Sequence, residues 1–336
     1  MPESVLFLAV VVAVALIFDF TNGAHDSANA IATIVSTKVL SPRSAVLMAA
    51  LLNLFGAFIG IKVANTIGSG IVHAEMVKGC QALTLAALMG AIFWNLFTWY
   101  LGLPSSSSHA LIGGLIGAAL SYRGIAALNF LSIGEKILLP LVFSPLAGFL
   151  AGYLLMLGLS WLFRNSHPMR VNKTFRKLQI VSSAFMATSH GTNDAQKTMG
   201  IITLALFTGH HIPDMTVPAW VKVACALAMA FGTALGGWKI VKTMGHKIFK
   251  LEAVHGFSAE TAAAGVIFTA SEFGAPISTT HTISTSILGV GASKRLSAVR
   301  WGIAGNMVTA WVLTIPAAAA VAAGCFLLLE LLGLVG

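Results

Sequence analysis

Apolar residues run along this chain in long blocks, and the polar residues fall in short clusters between them. A hydrocarbon core of about 30 Å takes roughly 20 apolar residues in a helix. Blocks of that order lie at 44–67, 80–103, 137–162, 219–238 and 302–332. Shorter apolar pieces lie at 5–18, 27–36, 108–121, 178–189, 198–208, 262–271 and 282–292, each beside a polar or Gly/Pro-containing cluster. Interrupted hydrophobic segments of this kind predict discontinuous helices and re-entrant hairpins around a site at mid-membrane depth. The first block has no basic stretch ahead of it and leads straight into a polar motif. It therefore predicts a first membrane helix rather than a cleaved signal.

Composition supports an all-α polytopic membrane protein. Of 336 residues, 57% are apolar and 9% are charged, against about a quarter charged in soluble domains. So few charges cannot cover a water-soluble surface of this size, which excludes a soluble enzyme and a disordered protein. The net charge of +9 could suggest nucleic acid. Its placement points elsewhere. Arg164, Arg170, Lys173, Arg176 and Lys177 form one cluster, Lys239, Lys242, Lys247 and Lys250 a second, and Lys294, Arg295 and Arg300 a third, all between apolar stretches. Such clusters mark cytoplasmic loops beside anionic lipid. Cys80, Cys225 and Cys325 are isolated and read as small core residues.

The chain repeats itself. NGAHDSANAIAT (22–33) aligns with HGTNDAQKTMGI (190–201) at an offset of 168, placing Asp26 on Asp194. GLPSSSSHALIGGLIG (102–117) aligns with GAPISTTHTISTSILG (274–289) at an offset of 172, placing His109 on His281. Phe55-Gly56 meets Phe231-Gly232 at 176. Three matches in one order at nearly one offset predict two homologous repeats, 1–162 and 179–336, joined by a short basic cytoplasmic loop at 163–178 that leaves no room for a regulatory domain. Inverted topology is favoured, because it brings both copies of each motif together near the bilayer centre.

A carboxylate at membrane depth costs at least a few kcal/mol and normally faces a cavity, an ion or a partner. Asp26 sits among Asn22, Gly23, His25, Ser27 and Asn29, and Asp194 among Gly191, Thr192, Asn193, Gln196 and Lys197. Glycine permits an unwound backbone whose carbonyls could point at a cation. Carboxylate, amide and hydroxyl oxygens suit Na⁺, and a protonated Asp would serve H⁺ coupling. A polar clamp between helices is the plainer reading. The second motif, Pro104-Ser105-Ser106-Ser107-Ser108-His109 with its counterpart Pro276-Ile277-Ser278-Thr279-Thr280-His281, reads as a helix start with hydroxyl caps. Free N–H groups and a partial positive charge at a helix N-terminus suit an oxyanion. Two such ends, with four to six hydroxyls, fit a tetrahedral anion such as phosphate. His25, His109, His190 and His281 could sense pH or simply be packed, and Asp19 and Glu272 are second-rank coupling candidates. No His or Cys spacing marks a transition-metal site.

Charge then constrains mechanism. An anion beside two carboxylates in a low dielectric is repelled, and Lys197 is the one basic residue in either motif. Cations must enter with it, as Na⁺, as protons or as a metal complex of the anion. The electrostatics thus favour symport.

These motifs resemble the inorganic phosphate transporters of the PiT family, of the bacterial low-affinity permease type. That family carries a duplicated signature close to Gly-Ala-Asn-Asp-x-Ala-Asn-Ala, with a Pro-x-Ser-x-Thr/Ser-His stretch after each copy. The resemblance spans essentially the whole chain. It implies an inverted-repeat membrane fold in the plasma membrane (the inner membrane of a bacterium), a homodimer, no organic cofactor, and phosphate symport with Na⁺ or H⁺ by alternating access. It puts Ser106, Ser107, Ser108, Ser278, Thr279 and Thr280 on the phosphate, and Asp26, Asn29, Asn193 and Asp194 at the substrate and cation sites. On the motifs' own chemistry Lys197 joins Asn29 and Asn193 beside the phosphate, and Asn22 and Thr192 join Asp26 and Asp194 at the coupling cation. Two departures stand out: His25 replaces the signature Asn in copy one, and Lys197 replaces the second Asn in copy two. They leave the coupling ion open between Na⁺ and H⁺. Two other classes compete. One is a channel or transporter for another oxyanion such as sulfate. The other is an intramembrane hydrolase using the two aspartates, although neither Gly-Ala-His-Asp nor Gly-Thr-Asn-Asp matches the Gly-x-Gly-Asp of such proteases.

Overall fold

The computed structural model describes residues 5–335, so Met1–Ser4 at the head of the first apolar block lie outside it. The chain forms α1 (Val5–Ser36), α2 (Pro42–Gly56), α3 (Lys62–Gly70), α4 (Gln81–Leu101), α5 (Ser107–Arg123), α6 (Phe130–Ser132) and α7 (Leu139–Leu162). It continues as α8 (Pro168–Thr208), α9 (Ala219–Leu235), α10 (Trp238–Lys242), α11 (Ala253–Glu272), α12 (Thr279–Lys294) and α13 (Trp301–Leu331). Five helices among the described residues are long and apolar enough to cross a membrane. They become six if α9 and the segment from Trp238 to Lys247, bent by 59°, make one span. In lipid every backbone polar group must be satisfied within the protein, which explains an all-helical solution.

Local chemistry sets the helix ends. Ser41 caps α2, with Pro42 in its first turn. Ser106 and Ser278 cap α5 and α12, each hydroxyl accepting from the backbone N–H of a histidine three residues on, His109 and His281, at 3.2 Å. Gly102 and Gly274, at φ +69° and +70°, close α4 and α11 just before those caps, as the sequence motif requires.

The two longest helices, α1 and α8, cross at the centre. α1 packs on α9, α8 and α4, while α8 packs on α11, α2 and α3. α4–α5 and α11–α12 are two helical hairpins. α13 lies along α5, and α7 along α12, so each hairpin is backed by a helix from the other half of the chain. Two apolar cores result. One gathers Val11, Leu83, Leu111, Leu204, Met229 and Phe326, and the other gathers Ile31, Ala49, Met244, Ile267, Ile283 and Met307.

One expectation is corrected here. The backbone at Gly23 and Gly191 is not unwound: α1 is unbroken over 32 residues and α8 over 41. The short apolar pieces 5–18 and 27–36 are one helix, as are 178–189 and 198–208. These glycines permit close helix contact instead. A Cβ on Gly23 would stand 2.4 Å from Met229 O, and one on Gly191 would stand 2.3 Å from Asn53 O. The reciprocal contacts are as tight, Gly232 against Phe20 O at 2.0 Å and Gly56 against Thr188 O at 2.2 Å. The breaks fall elsewhere. The apolar block 44–67 is interrupted between α2 and α3, and the block 219–238 ends at the bend at Gly236, φ +75°. Of the basic segment 163–178, residues from Pro168 onward are the first turns of α8.

Replacing Gly56 or Gly232 by Val forces carbonyl and side chain together. Each change should destabilise by about 1–3 kcal/mol, read as a lower melting temperature in detergent. Gly158→Val and Gly305→Val, where nothing lies within 4 Å of the new Cβ, should leave it within error of the parent.

Candidate functional site

The two aspartate motifs, 168 residues apart in sequence, meet where α1 and α8 cross. Ligand atoms of Asp26, His190 and Asp194 all lie within 4.8 Å of one another, and the three side chains are buried. Two like charges this close in a low-dielectric interior need compensation, and each carboxylate has it. His25 Nδ1 lies 2.6 Å from Asp26 Oδ1, while His190 Nε2 lies 2.9 Å from Asp194 Oδ2. Lys197 Nζ makes an ion pair with Asp194 Oδ1 one turn along α8 and donates to Ser108 Oγ and to Ile277 O.

Both hairpin tips close on this pair. From α12, the Thr279 hydroxyl donates to Asp194 Oδ2 at 2.8 Å, and the Thr280 hydroxyl lies 3.3 Å from Asp26 Oδ1. Asn29 Nδ2 reaches Thr279 and Thr280 at 3.2 and 3.0 Å. From α5, Ser108 meets Lys197, and the buried Ser107 hydroxyl has no hydrogen-bond partner among the described residues. The N-termini of α5 and α12 therefore both arrive at the acidic pair, with their partial positive charge and first-turn N–H groups. The contacts cross over. Asn29 of the first motif holds the second hairpin, and Lys197, its counterpart in the second motif, holds the first.

The remaining candidates take different places. Ser106 and Ser278 accept from their own helices, which leaves each hydroxyl hydrogen to donate. Asn193 Nδ2 braces the second hairpin through Ser271 Oγ at 2.8 Å and Ala275 O at 3.3 Å. Asn22 is buried, and its Oδ1 has no hydrogen-bond partner among the described residues. The Thr192 hydroxyl donates to backbone oxygens of Gly56 and Thr188, at the contact of α2 and α8. His109 and His281 lie with ring centroids 4.5 Å apart, and His281 stacks on Trp311 at 3.9 Å. Neither reaches the carboxylates. Asp19 is buried against Thr198. Glu272 is not in this centre: half-exposed at the end of α11, it pairs with Lys62 at 3.3 Å.

Sequence reading missed two groups. Asn53 orients His190 from α2, its Oδ1 lying 3.1 Å from His190 Nδ1. Glu260 of α11 is fully buried and accepts from the Thr33 and Ser182 hydroxyls and from Gln179 Nε2 at 3.3 Å. A lone acid inside the apolar run of α11 was the available signal for Glu260. Nothing local distinguished Asn53.

A nearly all-helical fold of long apolar helices wrapped around a buried polar centre is that of a multi-pass membrane protein. The chain belongs to the phosphate transporter family, whose pattern matches residues 22–322. A protein of Rhizobium meliloti (strain 1021) named "Probable low-affinity inorganic phosphate transporter" is 52% identical over 95% of this chain and 96% of its own length. One of the same name from Bacillus subtilis (strain 168) is 48% identical over 98% and 99%. Among solved structures, "The sodium-dependent phosphate transporter" superposes with a TM-score of 0.90 at 26% identity, covering 96% of this chain and 99% of that one.

The ion pair of Asp194 and Lys197 should behave as a buried pair. Lys197→Met removes the ammonium group beside Asp194, leaves it only His190 and Thr279, and should cost about 3–5 kcal/mol. Adding Asp194→Asn to it should recover most of that loss. Thermal melts of the single and double variants in detergent measure both effects.

Proposed function

We propose that the protein moves inorganic phosphate into the cell together with a cation, Na⁺ or H⁺, by alternating access. One observation carries the reading: two hairpin helices present their N-termini to a shared acidic pair beside Lys197. Phosphate takes the hydroxyls of Ser106, Ser107, Ser108, Ser278, Thr279 and Thr280 and the first-turn amides of α5 and α12. Asn29 and Asn193 stand beside it. In the closed centre the Lys197 ammonium is committed to Asp194. An entering anion draws it away, and Asp194 then needs another positive partner. A cation held by Asp26 and Asp194, with Asn22 and Thr192 at its margin and His190 within reach, supplies that partner. Anion and cation binding are thereby coupled through one side chain.

The two-repeat organisation, 1–162 and 179–336 about 163–178, with the second copy inverted, belongs to the same proposal. The crossed contacts of Asn29 and Lys197 support it, as do the reciprocal approaches of Gly23 to α9 and Gly191 to α2. A homodimer belongs to the same proposal, and mass measurement in detergent tests it.

Purified protein in liposomes should take up radiolabelled phosphate when a Na⁺ gradient or a pH gradient is imposed separately. Absence of uptake under both gradients defeats symport. Equal inhibition by sulfate and by unlabelled phosphate defeats the substrate assignment. Asp26→Asn and Asp194→Asn should each reduce uptake at least a hundredfold in protein that still inserts, and normal uptake by either refutes the assigned role.

A further inference from the structure

The breaks that follow α2 and α9 carry a third duplicated stretch. Gly60-Ile61-Lys62-Val63-Ala64-Asn65-Thr66 aligns with Gly237-Trp238-Lys239-Ile240-Val241-Lys242-Thr243 at an offset of 177. Both copies hold an exposed lysine at the same position, Lys62 and Lys239. Each lysine reaches the hairpin of the other half of the chain. Lys62 Nζ donates to Glu272 O at the end of α11, and Lys239 Nζ donates to Tyr100 O at the end of α4, both at 2.8 Å. Tyr100 and Glu272 are themselves counterparts, at the hairpin offset of 172.

A helix leaves its last carbonyls without partners, and within a membrane each must find one. The turn after α4 satisfies two: Gly102 N–H donates to Trp99 O at 3.1 Å and Leu103 N–H to Thr98 O at 3.0 Å. The turn after α11 does the same, with Gly274 N–H on Ser271 O at 3.0 Å and Ala275 N–H on Ala270 O at 2.9 Å. Tyr100 O and Glu272 O come next. A continuing helix would bring them the N–H of residue 104 or 276, but both residues are proline and have none. The two lysines take that place, and their positive charge suits a helix C-terminus.

The lysine stems are packed as well. A Cβ at Gly102 would stand 3.2 Å from Lys239 Cβ, and one at Gly274 would stand 3.2 Å from Lys62 Cβ. Each hairpin turn has one further tie: Thr243 Oγ1 donates to Gly102 O at 3.0 Å, and Glu272 Oε2 lies 3.3 Å from Lys62 Nζ. Elsewhere α3 touches α11, and α10 touches α4, at little else. Four residues beyond each glycine stand Ser106 and Ser278, which cap α5 and α12 and begin the two runs of hydroxyls at the centre.

We propose that Lys62 and Lys239 are positioning residues for phosphate binding, an inference that rests on the reading of the substrate above. Each ammonium group, carried by the break in one half, fixes the tip of the hairpin of the other half and so aims its hydroxyls at the centre. Neither lysine touches the anion.

The test uses full-length protein in liposomes and measures exchange of labelled for unlabelled phosphate over a range of concentrations. Methionine keeps the apolar stem and removes the donor. Lys62→Met and Lys239→Met should each raise KM at least fivefold, with Vmax per inserted molecule within twofold of the parent. Lys62→Arg and Lys239→Arg, which can still donate to the carbonyl, should bring KM back to within twofold. Lys242→Met removes an exposed charge one turn along α10 with no hydrogen bond among the described residues, and should leave KM unchanged. A fall in Vmax at unchanged KM marks a purely structural role and overturns the proposal. So does a KM for Lys242→Met raised as far as that for Lys239→Met, since surface charge would then explain both. Should the methionine variants not insert, acetylation of the parent protein in detergent by N-hydroxysuccinimide acetate decides, followed site by site by mass spectrometry. Lys62 and Lys239 should react at least threefold more slowly than Lys242, and equal rates overturn the proposal. Failure of the parent protein to exchange phosphate at all would instead count against the transport reading itself.

Discussion

Two carboxylates held within a few ångströms of each other at membrane depth set the terms for the rest of this molecule. Asp26 and Asp194 could not share a low-dielectric centre without compensation. The fold spends much of its polar inventory on supplying it. His25, His190 and Lys197 provide hydrogen and positive charge from the same two helices. Thr279, Thr280 and the two helix N-termini provide dipoles from the hairpins. The scarcity of charge elsewhere in the apolar helices makes the concentration here more telling.

Bringing those carboxylates together is a backbone problem, and glycine solves it. α1 and α8 must approach α9 and α2 closely enough to aim both motifs inward. Gly23, Gly56, Gly191 and Gly232 allow carbonyls of the facing helices to sit where a Cβ would stand. Because the helices remain intact, their amides need no outside partner. All the polar ligation at the centre is therefore left to side chains and to the ends of α5 and α12.

The two halves are alike without being equal. At aligned positions Asn22 faces His190, His25 faces Asn193 and Asn29 faces Lys197. Each acid thus keeps a histidine, on different sides of its helix turn, but one acid alone gains an ammonium group. A symmetric cage would hold its contents equally from both sides. This one is biased toward α8, where a single lysine stands between the acid, a hairpin hydroxyl and a hairpin carbonyl.

What the sequence determined by itself was whatever depends on composition and local order. Few charges among long apolar blocks required a helical membrane protein. The repeated Asp and Ser/Thr–His motifs named most of the residues at the centre, because a buried acid and a hydroxyl-capped helix start are chemical events of one or two turns. The tertiary structure decided what depends on which faces meet. Glycines that could have unwound the chain instead let helices touch, since a neighbouring carbonyl, and not the glycine, sets that outcome. Asn29 and Lys197 were legible as polar residues, but their reach across to the opposite hairpins was not. Asn53 behind His190 and the hydroxyl nest of Glu260 likewise depend on partners distant in sequence, and only folding brings those partners near.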